Sequence, residues 1–297
     1  MNIELVADSR CVLGEGPLWH PDEKCLLWLD ILSGKMLRYD PASSAHETIY
    51  EGALVAGITL QEDGALLLFG NHGSIRRWKD GQFTTLIESI PGEEDFRFND
   101  VIADPDGRVF CGTLHHSQAK PGRLYQLDTN GSLTQVLDGI GVSNGMGFSP
   151  DRRTMYYTDS PAQEVYRFDY DAESGAISNQ QVFARITENE VFPDGLTVDS
   201  EGGVWSALWG GHCILRYLPD GTIDRRIELP AAHVTSAIFG GDDLGDLYIT
   251  TATGTLDTTP SGEKKPAEPG IGGLYRVRPG IQGMPEFRSK IAAQRPS

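Results

Sequence analysis

The stretch NDVIADPDGRVFCGT, Asn99–Thr113, decides the fold. It is a short apolar run, then a Pro/Asp/Gly turn, then a second apolar run. β-Branched and aromatic residues interrupted by such turn chemistry read as two antiparallel strands. The unit recurs along the chain. The copies are EGPLWHPDEKCLLWLD from Glu15, AGITLQEDGALLLFG from Ala56, NGMGFSPDRRTMYYTD from Asn144, DGLTVDSEGGVWSAL from Asp194 and SAIFGGDDLGDLYITT from Ser236. Their starts are about 41 to 50 residues apart, the period of four-stranded propeller blades.

Each unit continues into a third strand, such as KMLRYDP, GRLYQLDTNG or GGLYRVRPG, and most into a fourth, such as FTTLIES or IDRRIELP. Six units of about four strands predict an all-β, six-bladed β-propeller. A ring that fails to close leaves an exposed sheet edge. The N-terminal segment IELVAD is therefore expected to pair into the last blade as its outer strand. No linker interrupts the repeat, so residues 1–297 read as a single domain. The stretch 258–270, rich in Pro, Gly and Lys, falls inside the last unit and reads as a long surface loop.

Composition narrows the function classes. Of 297 residues, 25 are Lys or Arg and 42 are Asp or Glu, a formal charge of −17. That charge repels phosphate backbones and anionic membrane surfaces, so neither nucleic acid nor a membrane is an expected partner. No apolar run approaches the ~18 residues of a membrane helix. The start, MNIELVADSR, lacks a basic region followed by an apolar core, as a secretory signal would have. The four cysteines, Cys11, Cys25, Cys111 and Cys213, are scattered without a CxxC. Reduced thiols in a cytoplasmic protein are expected, with Cys111 and Cys213 as small core residues. No GxSxG elbow is present, which leaves a serine hydrolase unsupported.

Aligning the units on their turns locates a candidate site. Seven positions before the turn acids Asp22, Asp63, Asp106, Asp151 and Glu201 stand Glu15, Ala56, Asn99, Asn144 and Asp194. In the last unit the equivalent is Thr235 or Ser236. The first strand of a blade lines the central channel, so one register forms a ring of side chains. Gly16, Gly57, Gly145 and Gly195 follow at once, which suits close backbone approach. Polar residues that begin strands also solvate a channel. The recurrence of two carboxylates and two amides at one register instead reads as a site for one divalent cation, because buried carboxylates need a counter-charge. Hard oxygen donors suit Ca²⁺, Mg²⁺, Mn²⁺ or Fe²⁺, and Zn²⁺ also accepts carboxylate.

Several motifs carry a resemblance. LGEGPLW, FRFNDVIADPDGRVFCGT, SNGMGFSPD, FPDGLTVDSEGGVW and VTSAIFGGDDLGDLYITTA occur in colinear order through nearly the whole chain. They resemble the senescence-marker-protein, gluconolactonase and luciferin-regenerating-enzyme family. The resemblance implies a six-bladed propeller with one central divalent metal and hydrolysis of a sugar lactone by a metal-activated water. It implies Glu15, Asn144 and Asp194 as metal ligands. It places Asn99 beside the metal, in contact with water or substrate, and makes Arg97 the substrate-binding arginine. Asp194 is the candidate proton acceptor. For Arg97 the alternative is a surface ion pair with Glu93, Glu94 or Asp95.

The loops after the second strands are expected to surround the pocket. They carry Asp30, Asn71-His72, His115-His116, Asp159-Ser160, Trp209 and Thr253. Asp, Asn and His pair with hydroxyls, and Trp209 covers an apolar ring face. His115-His116 departs from the acidic residues of the animal members. Two histidines suit an anionic lactone such as 6-deoxy-6-sulfogluconolactone, with His116 as a substrate contact; the alternative is that at least one of the two is merely solvated. His20, His46, His212 and His233 read as structural, with His20 and His46 in or near turns. The expected partner is thus a small sugar lactone, and a monomer is favoured. Two other functions suit a chain of this kind. One is a promiscuous metal-dependent esterase or organophosphate hydrolase, which needs a more apolar rim. The other is a non-catalytic metal-binding regulatory propeller, marked by an exposed apolar patch or by loss of Arg97 and Asn99.

Overall fold

A computed structural model describes residues 2–254 and 269–292. Most of the expected loop at 258–270 lies outside the described residues. The fold is all-β and propeller-like, and among the described residues there is no helix long and apolar enough to cross a membrane. The chain divides into two compact units. One comprises Met1–Leu54 with Ile186–Met284, and the other Val55–Arg185 with Pro285–Ser297.

In the first unit β1 spans Ile3–Ala7, and the strands β2 (Gly14–His20), β3 (Cys25–Asp30), β4 (Lys35–Asp40) and β5 (Ala45–Glu51) form one antiparallel sheet in chain order. The strands β18 (Phe192–Val198), β19 (Val204–Trp209), β20 (Cys213–Tyr217) and β21 (Ile223–Glu228) also follow chain order. The strands β22 (His233–Gly240), β23 (Asp246–Ala252) and β24 (Leu274–Val277) are completed by β1, which runs antiparallel to β24 with Ile3 opposite Val277. These last two groups are not separate sheets. The pair Trp209 and His233 joins β19 to β22, so one eight-stranded sheet stands where two four-stranded blades were expected.

The second unit holds three four-stranded sheets. They are β6–β9 (Val55–Leu60, Leu66–Gly70, Ile75–Lys79, Gln82–Ile87), β10–β13 (Phe96–Ala103, Val109–His115, Gly122–Leu127, Leu133–Ile140) and β14–β17 (Ser143–Phe148, Thr154–Asp159, Glu164–Tyr170, Ile177–Arg185). In each unit the first strands pack side by side, β18 with β22 and β22 with β2, β6 with β10 and β10 with β14.

Burial follows the sequence pattern. The first two strands of each sheet are largely buried, while β5, β9 and β21 are mostly exposed. The cores between sheets are aromatic, with Trp19, Trp28, Tyr39 and Tyr248 in one cluster and Phe110, Phe148, Tyr157 and Tyr170 in another. Two turn carboxylates are fully buried and paired. Asp104 accepts from the Arg108 backbone and guanidinium and from Tyr170 Oη, and Asp199 accepts from the Gly203 backbone, Trp205 Nε1 and Arg216 Nε. All four cysteines are buried and free, and burial pushes the Cys213 thiol up to about 11. A core role for Cys111 and Cys213 agrees with that.

Candidate active site

The first strand of each of the six sequence repeats breaks register at a corresponding place. The breaks fall between Glu15 and Leu18, Val55 and Gly57, Phe98 and Val101, Asn144 and Met146, Pro193 and Leu196, and Val234 and Ser236. A bulge leaves residues out of the ladder, increases local twist and re-aims a side chain. Glu15, Ala56, Asn99, Asn144, Asp194 and Thr235 therefore lie at or beside a bulge. The glycines that follow are explained by the same geometry. A Cβ on Gly195 would stand 2.2 Å from Ser236 Oγ and 2.8 Å from Ser236 Cα, so β18 and β22 approach more closely than any side chain allows. Gly16 takes φ +52°, a left-handed conformation that glycine tolerates.

In the first unit, Glu15 on β2 and Asp194 on β18 are both buried, on the two strands that flank β22. Glu15 Oε2 accepts the Gly16 N–H at 3.1 Å. Asp30 does not present a free carboxylate to a ligand. Its oxygens take the Val12 and Leu13 N–H groups at 3.1 and 3.0 Å, which fixes the backbone two residues before Glu15. On β22, Thr235 donates to Gly14 O and exchanges a hydrogen bond with Thr250, so its hydroxyl holds strands together. Trp209 lies flat on His233, ring centroids 4.0 Å apart at 19°. His233 had no expected part in the pocket wall. Burial holds its pKa below the ordinary imidazole value, with His212 adding to the effect.

The second unit brings three expected residues into one chain of hydrogen bonds. Arg97 Nη1 donates to Asn99 Oδ1 at 2.7 Å and to Phe98 O at 2.9 Å. Asn99 Nδ2 donates to Ser143 O at 2.7 Å and to Asn144 Oδ1 at 3.1 Å. Asn144 Nδ2 donates to Ser160 Oγ at 2.8 Å. Arg97 is 8% exposed, so its side chain is buried rather than on the surface. Glu93 is instead fully buried and is held by Arg123 and by Tyr125 Oη.

Asp159 repeats the part of Asp30. It accepts from the Gly141 and Val142 N–H groups ahead of Asn144. Burial raises its pKa, and those two donors pull it back. Asp100 takes the place held by glycine in four other units. Burial pushes its carboxyl up to about 7 against the pull of Arg97.

The two adjacent histidines separate. His115 is buried edge-on against Phe96 at 4.9 Å, with Nδ1 2.9 Å from Ser117 Oγ. His116 is exposed, and its ring lies 6.5 Å from that of His72. Burial lowers the His116 pKa, and the Arg97 charge lowers it further. His72 Nδ1 donates to Glu94 O at 2.5 Å, since a carbonyl only accepts. His20 holds its turn by accepting the Glu23 N–H, and His46, the second residue of β5, lies beside the turn at 41–44.

The carboxylate oxygens of Glu15 and Asp194 and the amide oxygen of Asn144 are each hard donors, the chemistry that a divalent cation takes. The Asn144 amide is held with its nitrogen on Ser160, which leaves its oxygen, with two lone pairs, directed elsewhere. The residues fit the group in that respect. Among the described residues no three His, Cys, Asp or Glu side chains cluster to hold a metal, and the expected ligand set differs in drawing one donor from an amide.

The sequence matches the family model for the SMP-30/Gluconolactonase/LRE-like region over residues 13–253. The chain belongs to this family. It is 46% identical over 291 residues to the pentonolactonase XacC of Haloferax volcanii, covering 98% of this chain and 99% of that protein. The structure of a luciferin-regenerating enzyme is similar with a TM-score of 0.88 and 28% identity, over 98% of this chain and 99% of that one. A calcium-binding protein, regucalcin, from Agrobacterium tumefaciens is similar with a TM-score of 0.86 and 25% identity, over 96% of each chain.

Proposed function

We propose that the protein hydrolyses a sugar (aldono-)lactone to the aldonic acid, with one divalent metal ion as cofactor, in sugar catabolism. The observation that carries this reading is the buried chain Arg97–Asn99–Asn144, in a member of a family that includes a pentonolactonase. The proposed architecture is a single six-bladed ring of residues 1–297, closed by the N-terminal strand. The proposed ligands, Glu15, Asn144 and Asp194, rest on motif and register. Ca²⁺, Zn²⁺, Mn²⁺, Mg²⁺ and Fe²⁺ all suit oxygen donors of this kind. A calcium-binding relative supports a divalent ion.

What such an ion supplies when bound is Lewis acidity, which polarises a carbonyl and lowers the pKa of water. The protein supplies orientation and proton transfer. Asp194 aligns the attacking water and takes its proton as the water oxygen bonds to the lactone carbon. The ring C–O bond then breaks, and the departing ring oxygen gains a proton to become the new hydroxyl. Arg97 donates hydrogen bonds to substrate oxygens and stabilises the charge that develops on them. Asn99 contacts water or substrate beside it.

The finer reading is an anionic lactone, such as 6-deoxy-6-sulfogluconolactone. Arg97 and the exposed His116, with His72 close to it, supply hydrogen-bond donors suited to a carboxylate or sulfonate. The charge of −17 and the reduced thiols support a cytoplasmic protein without nucleic-acid or membrane partners, and we read it as a monomer.

The test is proton release from neutral, carboxylated and sulfonated aldonolactones. It uses chelator-treated protein, each metal added back, and metal-only controls for spontaneous opening. Metal-restored hydrolysis is expected, and it should be lost together with bound metal in Glu15→Ala and Asp194→Ala. Hydrolysis no faster than the controls with every metal refutes the lactonase reading. Full metal content in both variants refutes the ligand set.

A further inference from the structure

We propose that Ser160 is a positioning residue for the metal-ligand oxygen of Asn144. The inference rests on the metal-dependent reading above and concerns a residue that no family motif singles out. Its basis is the direction of the hydrogen-bond chain. A guanidinium has donors only, so Asn99 must turn Oδ1 toward Arg97, 2.7 Å away. A backbone carbonyl only accepts, so Asn99 must turn Nδ2 toward Ser143 O, also 2.7 Å away. These two fixed ends leave Asn99 one orientation. Its amide nitrogen then faces Asn144, which must answer with Oδ1. The Asn144 nitrogen is left on the far side, where Ser160 Oγ accepts from it at 2.8 Å.

Ser160 follows Asn144 in this chain and is well anchored. It directly follows β15, its N–H donates to Val142 O, and its carbonyl accepts the Gln163 N–H. Asn144 and Ser160 are both buried. Without the hydroxyl, the Asn144 Nδ2 donor loses its acceptor at 2.8 Å, and leaving a buried donor unsatisfied is unfavourable. The Asn99 nitrogen still faces the Asn144 oxygen, so the amide is then held from one side alone and that oxygen is less firmly directed. Groups that orient a metal ligand without touching the metal typically change affinity by about 10- to 100-fold when removed.

The experiment measures Ca²⁺ and Mn²⁺ dissociation constants by isothermal titration calorimetry on the chelator-stripped full chain. Ser160→Ala should weaken both ions by about tenfold, with the metal-free protein still unfolding in one cooperative transition. Ser160→Cys keeps the volume but accepts hydrogen bonds poorly, and it should weaken binding in the same way. Ser160→Thr keeps the hydroxyl and should restore affinity to near the parent value. Parent-like dissociation constants in the Ala and Cys variants overturn the role of Ser160 and leave the metal site standing. Parent protein that binds neither ion, nor Mg²⁺, Zn²⁺ or Fe²⁺ in the same titration, overturns the metal reading and this inference with it.

Discussion

Glu286 offers a test of the fold that is independent of catalysis. It lies in the C-terminal segment of the second unit. That segment is anchored by Phe287 against Phe148, by Arg152 over the Phe287 ring, and by Ser289 on Thr59 and Leu60. Burial alone pushes the Glu286 carboxyl from its ordinary 4.5 to about 7. The folded chain therefore binds more protons than the unfolded chain between these values. Stability falls as pH rises through that window, and the penalty is complete above pH 7. At ~1.4 kcal/mol per pH unit the upper bound is ~3 kcal/mol. The side chain is partly open to water, and screening reduces the expected value to ~1–2 kcal/mol. Glu286→Gln keeps the shape and removes the charge. The variant should match the parent at pH 4 and exceed its stability by ~1–2 kcal/mol at pH 8. Urea unfolding of the two proteins at each pH is the assay, since their shared titrations cancel in the difference. A pH-independent offset, or a variant less stable than the parent at pH 8, would refute the reasoning.

Two predictions concern the site. Arg97→Ala should keep cation affinity, because Ser143 O still fixes the Asn99 amide, while lactone kcat/KM falls by ~10²–10³; calorimetry beside a lactone assay decides it, and unchanged kinetics removes Arg97 from the site. Gly195→Ala forces a methyl group against the Ser236 Cα, so β18 and β22 must separate. Thermal unfolding should show a loss of ~1–3 kcal/mol, and cation binding through Asp194 should weaken in the same protein. An alanine variant with parent-like stability and affinity would show that the strands part freely.

The turn acids make the strand order and the position of Glu15, Asn99, Asn144 and Asp194 legible from residue order alone, because a repeat turns one register into six comparable places. Other features are not legible, for identifiable reasons. Asp30 and Asp159 are expected to meet substrate hydroxyls, and they instead hold the backbone ahead of Glu15 and Asn144. A carboxylate at a strand end accepts equally well from a sugar or from a peptide N–H, so residue type does not choose between them. Alternation alone does not divide the pair His115-His116, because His115 ends β11 and the chain turns there. The fusion of two expected blades at Trp209 and His233 depends on one backbone pair that no side-chain pattern encodes.

The bulges show what the sequence carries in hidden form. Gly16, Gly57, Gly145 and Gly195 read as signs of close approach, and the approach is real at Gly195. What those residues also mark is the step at which each first strand leaves its ladder. A regular strand alternates its side chains between two faces, whereas a bulge sets two residues of one strand against one of its partner and re-aims the side chains there. Breaking the ladder at the same step in every repeat frees backbone and side chain together at that step. Asp100 and Ser236 indicate that glycine is only one way to build the break, since they stand at that step in the other two repeats. Which residue a repeat places at its bulge thus varies, while the bulge itself belongs to the fold.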